Sequence, residues 1–423
     1  MQMDSICVHG GIALQGRVKV QGSKNAALPI LAGTLLTQGE NTIYNCPKIS
    51  DIFQMEQLLR SIGCVVKVRS ECICINADAV QMQRMPSEAV QGMRSSVCML
   101  GALLSRCKQV IMEYPGGCVI GARPIDMHIE ALQKMGARFE LKDGLIHGSV
   151  RQRLQGADIV FPKVSVGATE NVILAAVLAE GRTCIHGAAC EPEVVALCEY
   201  LNICGACIEG IGSSCIEIKG VKSLKAGCIR IPADRIVAGT YLMAVLNTGG
   251  SIFMEDAPCE HMTAVIELAE QMGAICQQSE NGLYVSAPKK LKPISKIRTD
   301  IYPGFPTDLQ SVALVAAIKA EGKSCVEETI FENRFHIVEP LKVMGADLEL
   351  LDSNKVLVNG PSLLNGKEVE AKELRGGAAL IVAGLGAEGV TTVKGGKYIM
   401  RGYENICKDL RELGARVTGV YEK

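Results

Sequence analysis

Apolar residues fall along this 423-residue chain in a pattern that recurs six times. An apolar residue or cysteine, then Gly, then Ala or Cys, stands at Ile62-Gly63-Cys64, Met135-Gly136-Ala137, Cys204-Gly205-Ala206, Met272-Gly273-Ala274, Met344-Gly345-Ala346 and Leu413-Gly414-Ala415. The glycines lie 73, 69, 68, 72 and 69 residues apart, so six units tile the chain. Ahead of the motif runs an amphipathic pattern. In the first unit Ile52, Met55, Leu58, Leu59 and Ile62 recur at spacings of three and four, which predicts a helix with one apolar stripe. The motif glycine predicts where that helix stops. Earlier in each unit lies a second helix, apolar almost all round: 26–36, 96–104, 172–179, 236–246, 309–318 and 378–385. β-rich stretches such as 41–44 and 391–393 follow these helices, and hairpins are predicted around Asp143-Gly144 and Asn281-Gly282.

A helix apolar on every face must be surrounded by protein, whereas a helix with one stripe covers a sheet. The pattern therefore predicts an α/β fold of two inside-out domains. Each has three repeated units, with buried central helices, sheets around them and amphipathic helices outside. The expected domains are 22–231, and 1–21 with 232–423; the strand at 16–20 is assigned to the second. The chain would cross near Gly22 and near Pro232, forming a two-strand hinge beside a cleft able to close.

Composition narrows the function. Forty-four basic and 45 acidic residues leave a net charge of −1, which argues against a nucleic-acid binder. An apolar share of 48% excludes a disordered chain. No apolar run approaches the roughly 18 residues of a membrane span. The first residues have neither a basic flank nor a long apolar core, so no signal peptide is expected and the location reads as cytoplasmic. Nineteen cysteines, scattered through apolar segments, read as buried reduced thiols. The Cys204/Cys207 pair lies on the recurring motif and reads as structural, and no metal or other cofactor is expected.

Polar residues gather at the starts of the central helices: Lys24-Asn25, Arg94, Ser165-Val166-Gly167, Arg235, Asp308 and Arg375. In the second connections stand residues 118–123, Arg334 and Arg401. Helix N-termini carry free N–H groups and partial positive charge. With Lys24, Arg94, Arg123, Arg334, Arg375 and Arg401 adding full charges, the set predicts a receptor for a multiply anionic small molecule. The segment Tyr114-Pro115-Gly116-Gly117-Cys118-Val119-Ile120-Gly121-Ala122-Arg123-Pro124 is a helix-free loop. Cys118 is the thiol most clearly outside an apolar segment, and Arg123 could acidify it.

The segments Gly22-Ser23-Lys24-Asn25-Ala26-Ala27-Leu28-Pro29, Pro115 to Pro124, Val164-Ser165-Val166-Gly167-Ala168-Thr169, Phe305-Pro306-Thr307-Asp308 and Phe331-Glu332-Asn333-Arg334-Phe335 together resemble the UDP-N-acetylglucosamine 1-carboxyvinyltransferase family of enolpyruvyl transferases. The resemblance runs from about Gly16 to the C-terminus and implies the same inside-out fold. It also implies transfer of the enolpyruvyl group of phosphoenolpyruvate to the 3′-hydroxyl of UDP-N-acetylglucosamine, the step that opens peptidoglycan precursor synthesis. Carried over by position, Lys24, Asn25, Arg123 and Arg401 would hold phosphoenolpyruvate. Cys118 would be the general acid, and the thiol attacked by fosfomycin. Asp308 would accept the sugar hydroxyl's proton. Arg94, Arg123, Pro124, Ile125, Asp126, Met127, Lys163, Val164, Ser165, Val166, Gly167, Asp308 and Ile330 would line the UDP-sugar site, with His128 near the uracil. Arg334, Glu373 and Arg375 would support it. Partners are the two small-molecule substrates, with no nucleic acid, membrane or obligate protein partner.

Glu373 stands where the family usually has Asp, Met400 where an acidic residue is common, and Phe335-His336 also departs. The rival readings are the sister transferase acting on shikimate 3-phosphate, and a non-catalytic sugar-nucleotide sensor.

Overall fold

The computed structural model describes residues 3–81, 85, 87–116, 120–121 and 124–421. The chain forms two compact units. The N-terminal unit comprises Gly22–Cys118 and Ala122–Pro232; the C-terminal unit comprises Met1–Gln21, Val119–Gly121 and Ala233–Lys423. Each has its own hydrophobic core.

Three central helices fill each core: Lys24–Gly33, Met99–Cys107 and Val166–Ala176 in one, Arg235–Thr248, Gln310–Lys319 and Leu374–Gly386 in the other. Burial along them is continuous. Every residue of 236–247, 310–318 and 375–385 is buried, so these stretches have no solvent face. Several start earlier than the apolar pattern suggests, because the first turn is polar and held by a side-chain cap. Ser23 accepts from Ala26 N (3.3 Å), Ser165 from Ala168 N (3.4 Å), and Asp234 from Ile236 N and Val237 N (2.8 and 3.1 Å). The second repeat of each unit opens instead in a 3₁₀ turn, Arg94–Cys98 or Thr307–Leu309.

Among the described residues, the five four-stranded sheets share one order, and the sheet of Gln109–Glu113, Leu145–Ser149 and Arg138–Lys142 lacks only the parallel edge strand. A strand lies parallel to the strand after the central helix, which pairs antiparallel with the second strand of the terminal hairpin, whose first strand forms the far edge. Leu14–Lys19, Gly250–Glu255, Gly282–Ser286 and Ile275–Ser279 show it. In the sixth repeat the hairpin strand is supplied from elsewhere. Met3–His9 sits between Val390–Lys394 and Arg416–Tyr421, a strand the sequence reading did not assign. The N-terminal unit is closed similarly by Cys228–Arg230 running parallel to Glu40–Tyr44. Where the chain passes between units, Ser23 N donates to Pro232 O within one, and Asp234 N donates to Gln21 O within the other (both 2.8 Å).

All six motif glycines have positive φ, from 86° at Gly414 to 106° at Gly345. Behind each, the next residue's N–H reaches back to a carbonyl five residues earlier, as Ala137 N does to Leu132 O (3.0 Å). A side chain there would meet the left-handed penalty, so glycine stops the outer helix and releases the chain into the hairpin. No helix among the described residues is long and apolar enough to cross a membrane.

Burial shifts one carboxyl of the N-terminal unit far from its ordinary titration range. Glu170, in the helix Val166–Ala176, accepts from Cys98 Sγ at 3.3 Å. Burial, with Glu193 and Glu191 nearby, pushes its pKa from 4.5 to about 8. The folded state therefore keeps a proton that the unfolded chain loses above 4.5. This contribution to stability is full below 4.5 and disappears as pH rises to about 8, at up to about 1.4 kcal/mol per pH unit. Glu170→Gln, neutral at every pH, should gain stability over wild type between about pH 5 and about pH 8 in urea melts. An equal difference at both pH values would refute the assignment.

Candidate functional site

In the C-terminal unit Asp308 lies in the 3₁₀ turn Thr307–Leu309 that opens the helix Gln310–Lys319. Two guanidinium groups hold its carboxylate. Arg334 Nη2 donates to Oδ1 (2.8 Å); Arg375 Nε and Nη2 donate to Oδ2 (3.2 and 3.0 Å). The Arg334 and Arg375 side chains are 1% and 5% exposed, whereas that of Asp308 is 28% exposed. The group presented to solvent is thus the carboxylate, with its counter-charges behind it. Burial works against the charge on Arg375, but Asp308 first, then Tyr403 and Asp234, carry its pKa above the ordinary arginine value. The sequence reading treated Arg334 and Arg375 as charges available to an anion. Their burial explains the difference: a guanidinium removed from water needs a fixed partner, and Asp308 is that partner.

Glu373 is the N-cap of the helix Leu374–Gly386. Its carboxylate accepts from Arg375 N (2.7 Å) and from Gly376 N, so this departure from the family pattern does the work an aspartate does at a helix start. Arg401 is half-buried in the turn after the short helix Gly396–Ile399, its N–H directed to Tyr398 O (3.3 Å). Gln21 secures that turn through Gly402 O (3.1 Å) and Glu404 N (2.8 Å). Met400 packs on the core. Ile330 N donates to Glu328 Oε1 (2.8 Å).

In the N-terminal unit Lys24 opens its helix, with Nζ 3.3 Å from the buried Asp51 carboxylate; Asn25 beside it is half-buried. Arg94 Nη1 donates to Pro115 O (3.3 Å) at the start of the Gly/Pro-rich segment. Cys118 and Arg123 lie outside the described residues. Pro124 and Asp126 are exposed, Met127 is half-buried, and Ile125 and His128 are buried. Lys163 is exposed, and 164–167 are half-buried at the helix start capped by Ser165.

His128 Nδ1 lies 2.9 Å from Asn171 Nδ2. The amide's orientation is set by its other bonds: Oδ1 accepts from Gly101 N (2.8 Å) and Nδ2 donates to Val97 O (2.9 Å). Nδ1 is therefore an acceptor, and the ring carries its hydrogen on Nε2. Gly167 packs against this ring, and a Cβ there would stand 3.2 Å from Cε1.

The structure thus gathers Asp308, Arg334 and Arg375 in one unit, and His128 with Gly167 in the other. Sequence reading missed Asp51, Asn171, Thr307 and Glu328, the polar residues that hold these groups. Thr307 stands inside the segment Phe305-Pro306-Thr307-Asp308 without any mark of its role, Glu328 only borders a recognisable motif, and no periodicity marks a buried polar side chain. No cluster of three or more His, Cys, Asp or Glu side chains suited to a metal occurs among the described residues.

The profile of the EPSP synthase (3-phosphoshikimate 1-carboxyvinyltransferase) family matches residues 8–410. The chain is 41% identical over 421 residues to UDP-N-acetylglucosamine 1-carboxyvinyltransferase 1 of Halalkalibacterium halodurans, covering 99% of this chain and 95% of that protein. It is 42% identical over 418 residues to UDP-N-acetylglucosamine 1-carboxyvinyltransferase 2 of Caldanaerobacter subterraneus subsp. tengcongensis, covering 99% and 100%. In fold it is similar to the enolpyruvyl transferase NikO of Streptomyces tendae, with TM-score 0.87 at 23% identity over 99% of both chains. An EPSP synthase of Acinetobacter baumannii gives 0.74 at 20% identity, over 98% of this chain and 100% of that one.

Proposed function

Because the chain belongs to the EPSP synthase family of enolpyruvyl transferases, we propose that it transfers the enolpyruvyl group of phosphoenolpyruvate to the 3′-hydroxyl of UDP-N-acetylglucosamine, releasing phosphate. In this reading it acts in the cytoplasm, at the first committed step of peptidoglycan precursor synthesis. The observation that carries it is 41–42% identity, across 99% of the chain, to two proteins named for that reaction. The solved EPSP synthases are only 20% identical and speak to fold alone.

Lys24, Asn25, Arg123 and Arg401 hold phosphoenolpyruvate in this proposal, balancing its phosphate and carboxylate. Arg94, residues 123–128 and 163–167, Asp308 and Ile330 receive the UDP-sugar. Cys118 gives its thiol proton to the C3 methylene, leaving a cation-like C2. The sugar oxygen bonds to C2 and Asp308 takes its proton. In the elimination the Cys118 thiolate takes a proton back from C3, the bond from C2 to the phosphate oxygen breaks, the double bond returns, and the departing phosphate carries off the proton that Asp308 had taken. A carboxylate held by two arginines is a restrained base. It suffices because the hydroxyl becomes strongly acidic once its oxygen has bonded to C2. The hinge expected at Gly22 and Pro232 belongs to the same proposal, since the chemistry draws on residues from both stretches of chain.

Phosphate release is the test, measured with phosphoenolpyruvate plus UDP-N-acetylglucosamine and with each omitted. Release is expected only when both are present. Release with shikimate 3-phosphate in place of the UDP-sugar, and not otherwise, would overturn the acceptor assignment.

A further inference from the structure

Behind the Asp308 pair lies a buried carboxylate to which the reaction assigns no part. Glu328, 1% exposed, directly follows the strand Gly322–Glu327. Its Oε1 accepts from Thr299 Oγ1 (3.0 Å), Ile330 N (2.8 Å) and Phe331 N (3.2 Å), and its Oε2 accepts from Thr307 Oγ1 (2.8 Å). Thr299 Oγ1 itself accepts from Thr329 N (2.9 Å), so its hydrogen is free to point at Glu328.

Two arms lead from this carboxylate to Arg334. Along the first, Thr307 directs its hydroxyl hydrogen to Glu328 and so offers a lone pair to Arg334 Nη1 (3.1 Å), while Nη2 meets Asp308. Along the second, Glu328 fixes Phe331 N, and the Phe331 ring lies under the Arg334 guanidinium, 5.3 Å from its carbon to the ring centroid. Arg334 Nε is buried without a hydrogen-bond partner among the described residues, so the plane of the guanidinium depends on these contacts and on Asp308.

We propose that Glu328 is a positioning residue: one buried carboxylate orients both Thr307 and Phe331 against Arg334, and so sets the plane in which Arg334 meets Asp308. This rests on the assignment of Asp308 as proton acceptor. Glutamine at 328 must keep its amide oxygen on the side of the three donors. Its NH2 then faces Thr307, and the threonine hydrogen loses its acceptor. Valine at 307 removes the acceptor of Arg334 Nη1 outright. Either change lets Arg334 turn away from Oδ1 and makes the Asp308 carboxylate easier to protonate.

The test uses the full chain carrying Glu328→Gln, Thr307→Val or Thr307→Ser, each checked for folding by its melt. Glu328→Gln and Thr307→Val should lower kcat about tenfold, with KM for both substrates within about twofold. The acid limb of kcat should move to higher pH in both, and Thr307→Ser should behave as wild type. The Asp308 side-chain carbon, followed by NMR and assigned by its loss in Asp308→Asn, should titrate about one pH unit higher in both variants. The double variant should be no slower than the slower single one. An unmoved kcat limb and an unmoved Asp308 titration in folded Thr307→Val would overturn the proposal, even if Glu328→Gln fails to fold. The titration needs no turnover and the kinetics can be run with either acceptor, so failure of the proposed function remains distinguishable.

Discussion

Replacing Asp308 by asparagine is expected to lower phosphate release from phosphoenolpyruvate and UDP-N-acetylglucosamine by about two to four orders of magnitude. Asparagine keeps the outline of the side chain but cannot take the hydroxyl proton. It also presents one NH2 to a site with donors on both sides: Arg334 Nη2 at Oδ1, and Arg375 Nε and Nη2 at Oδ2. Arg375 makes two bonds, so the amide oxygen should stay there and the NH2 should face Arg334. Stability should fall by about 1–3 kcal/mol from that mismatch. The loss is smaller than for a fully buried ion pair, because the Asp308 side chain is 28% exposed. Saturating turnover and a thermal melt on one preparation separate the two effects. Wild-type turnover in the folded variant would remove Asp308 as the proton acceptor.

Cys118→Ala should lose a similar two to four orders of magnitude, since no other acid then serves the C3 methylene. The same thiol is the one expected to react with fosfomycin. Its sulfur bonds to an epoxide carbon, the ring C–O bond breaks and the oxygen takes a proton, so protein mass rises by the whole inhibitor. The core thiols are poor competitors. Burial pushes Cys64 and Cys198 up to about 12 and Cys204 and Cys407 up to about 11, leaving them protonated at neutral pH. Cys207, Cys215 and Cys228 are exposed and form the internal control. Intact mass after incubation with inhibitor and UDP-sugar should show one adduct on wild type and none on Cys118→Ala. An adduct retained by the variant would place the reactive thiol elsewhere.

Much of the fold is legible from neighbours in the chain. The stop at each outer helix is encoded by a glycine whose positive φ costs other residues too much, so six glycines mark six repeats. Ile52, Met55, Leu58, Leu59 and Ile62 are buried because their spacing leaves them on one face. The first turns of the central helices were harder to place. Lys24, Gly167 and Arg375 carry no apolar signal, and only capping by Ser23, Ser165 and Glu373 shows that the helix has already begun. Met3–His9 was missed for another reason: its pairing partners lie near the opposite end of the chain, and no local pattern records them.

The candidate chemistry divides in the same way. The candidate residue types, a thiol in a Gly/Pro-rich segment and charges at helix starts, stand in the sequence because each is a local choice. What each charge does was decided only by tertiary structure. Arg334 and Arg375 look like Lys24 and Arg94 along the chain, yet folding buries the first two around Asp308. Asn171 selects the hydrogen on His128 from another helix, and Glu328 holds Thr307 from 21 residues away. The partner of a buried charge depends on which strands and helices pack together, because desolvation is tolerable only where the packed chain supplies the opposite charge or a fixed hydrogen bond.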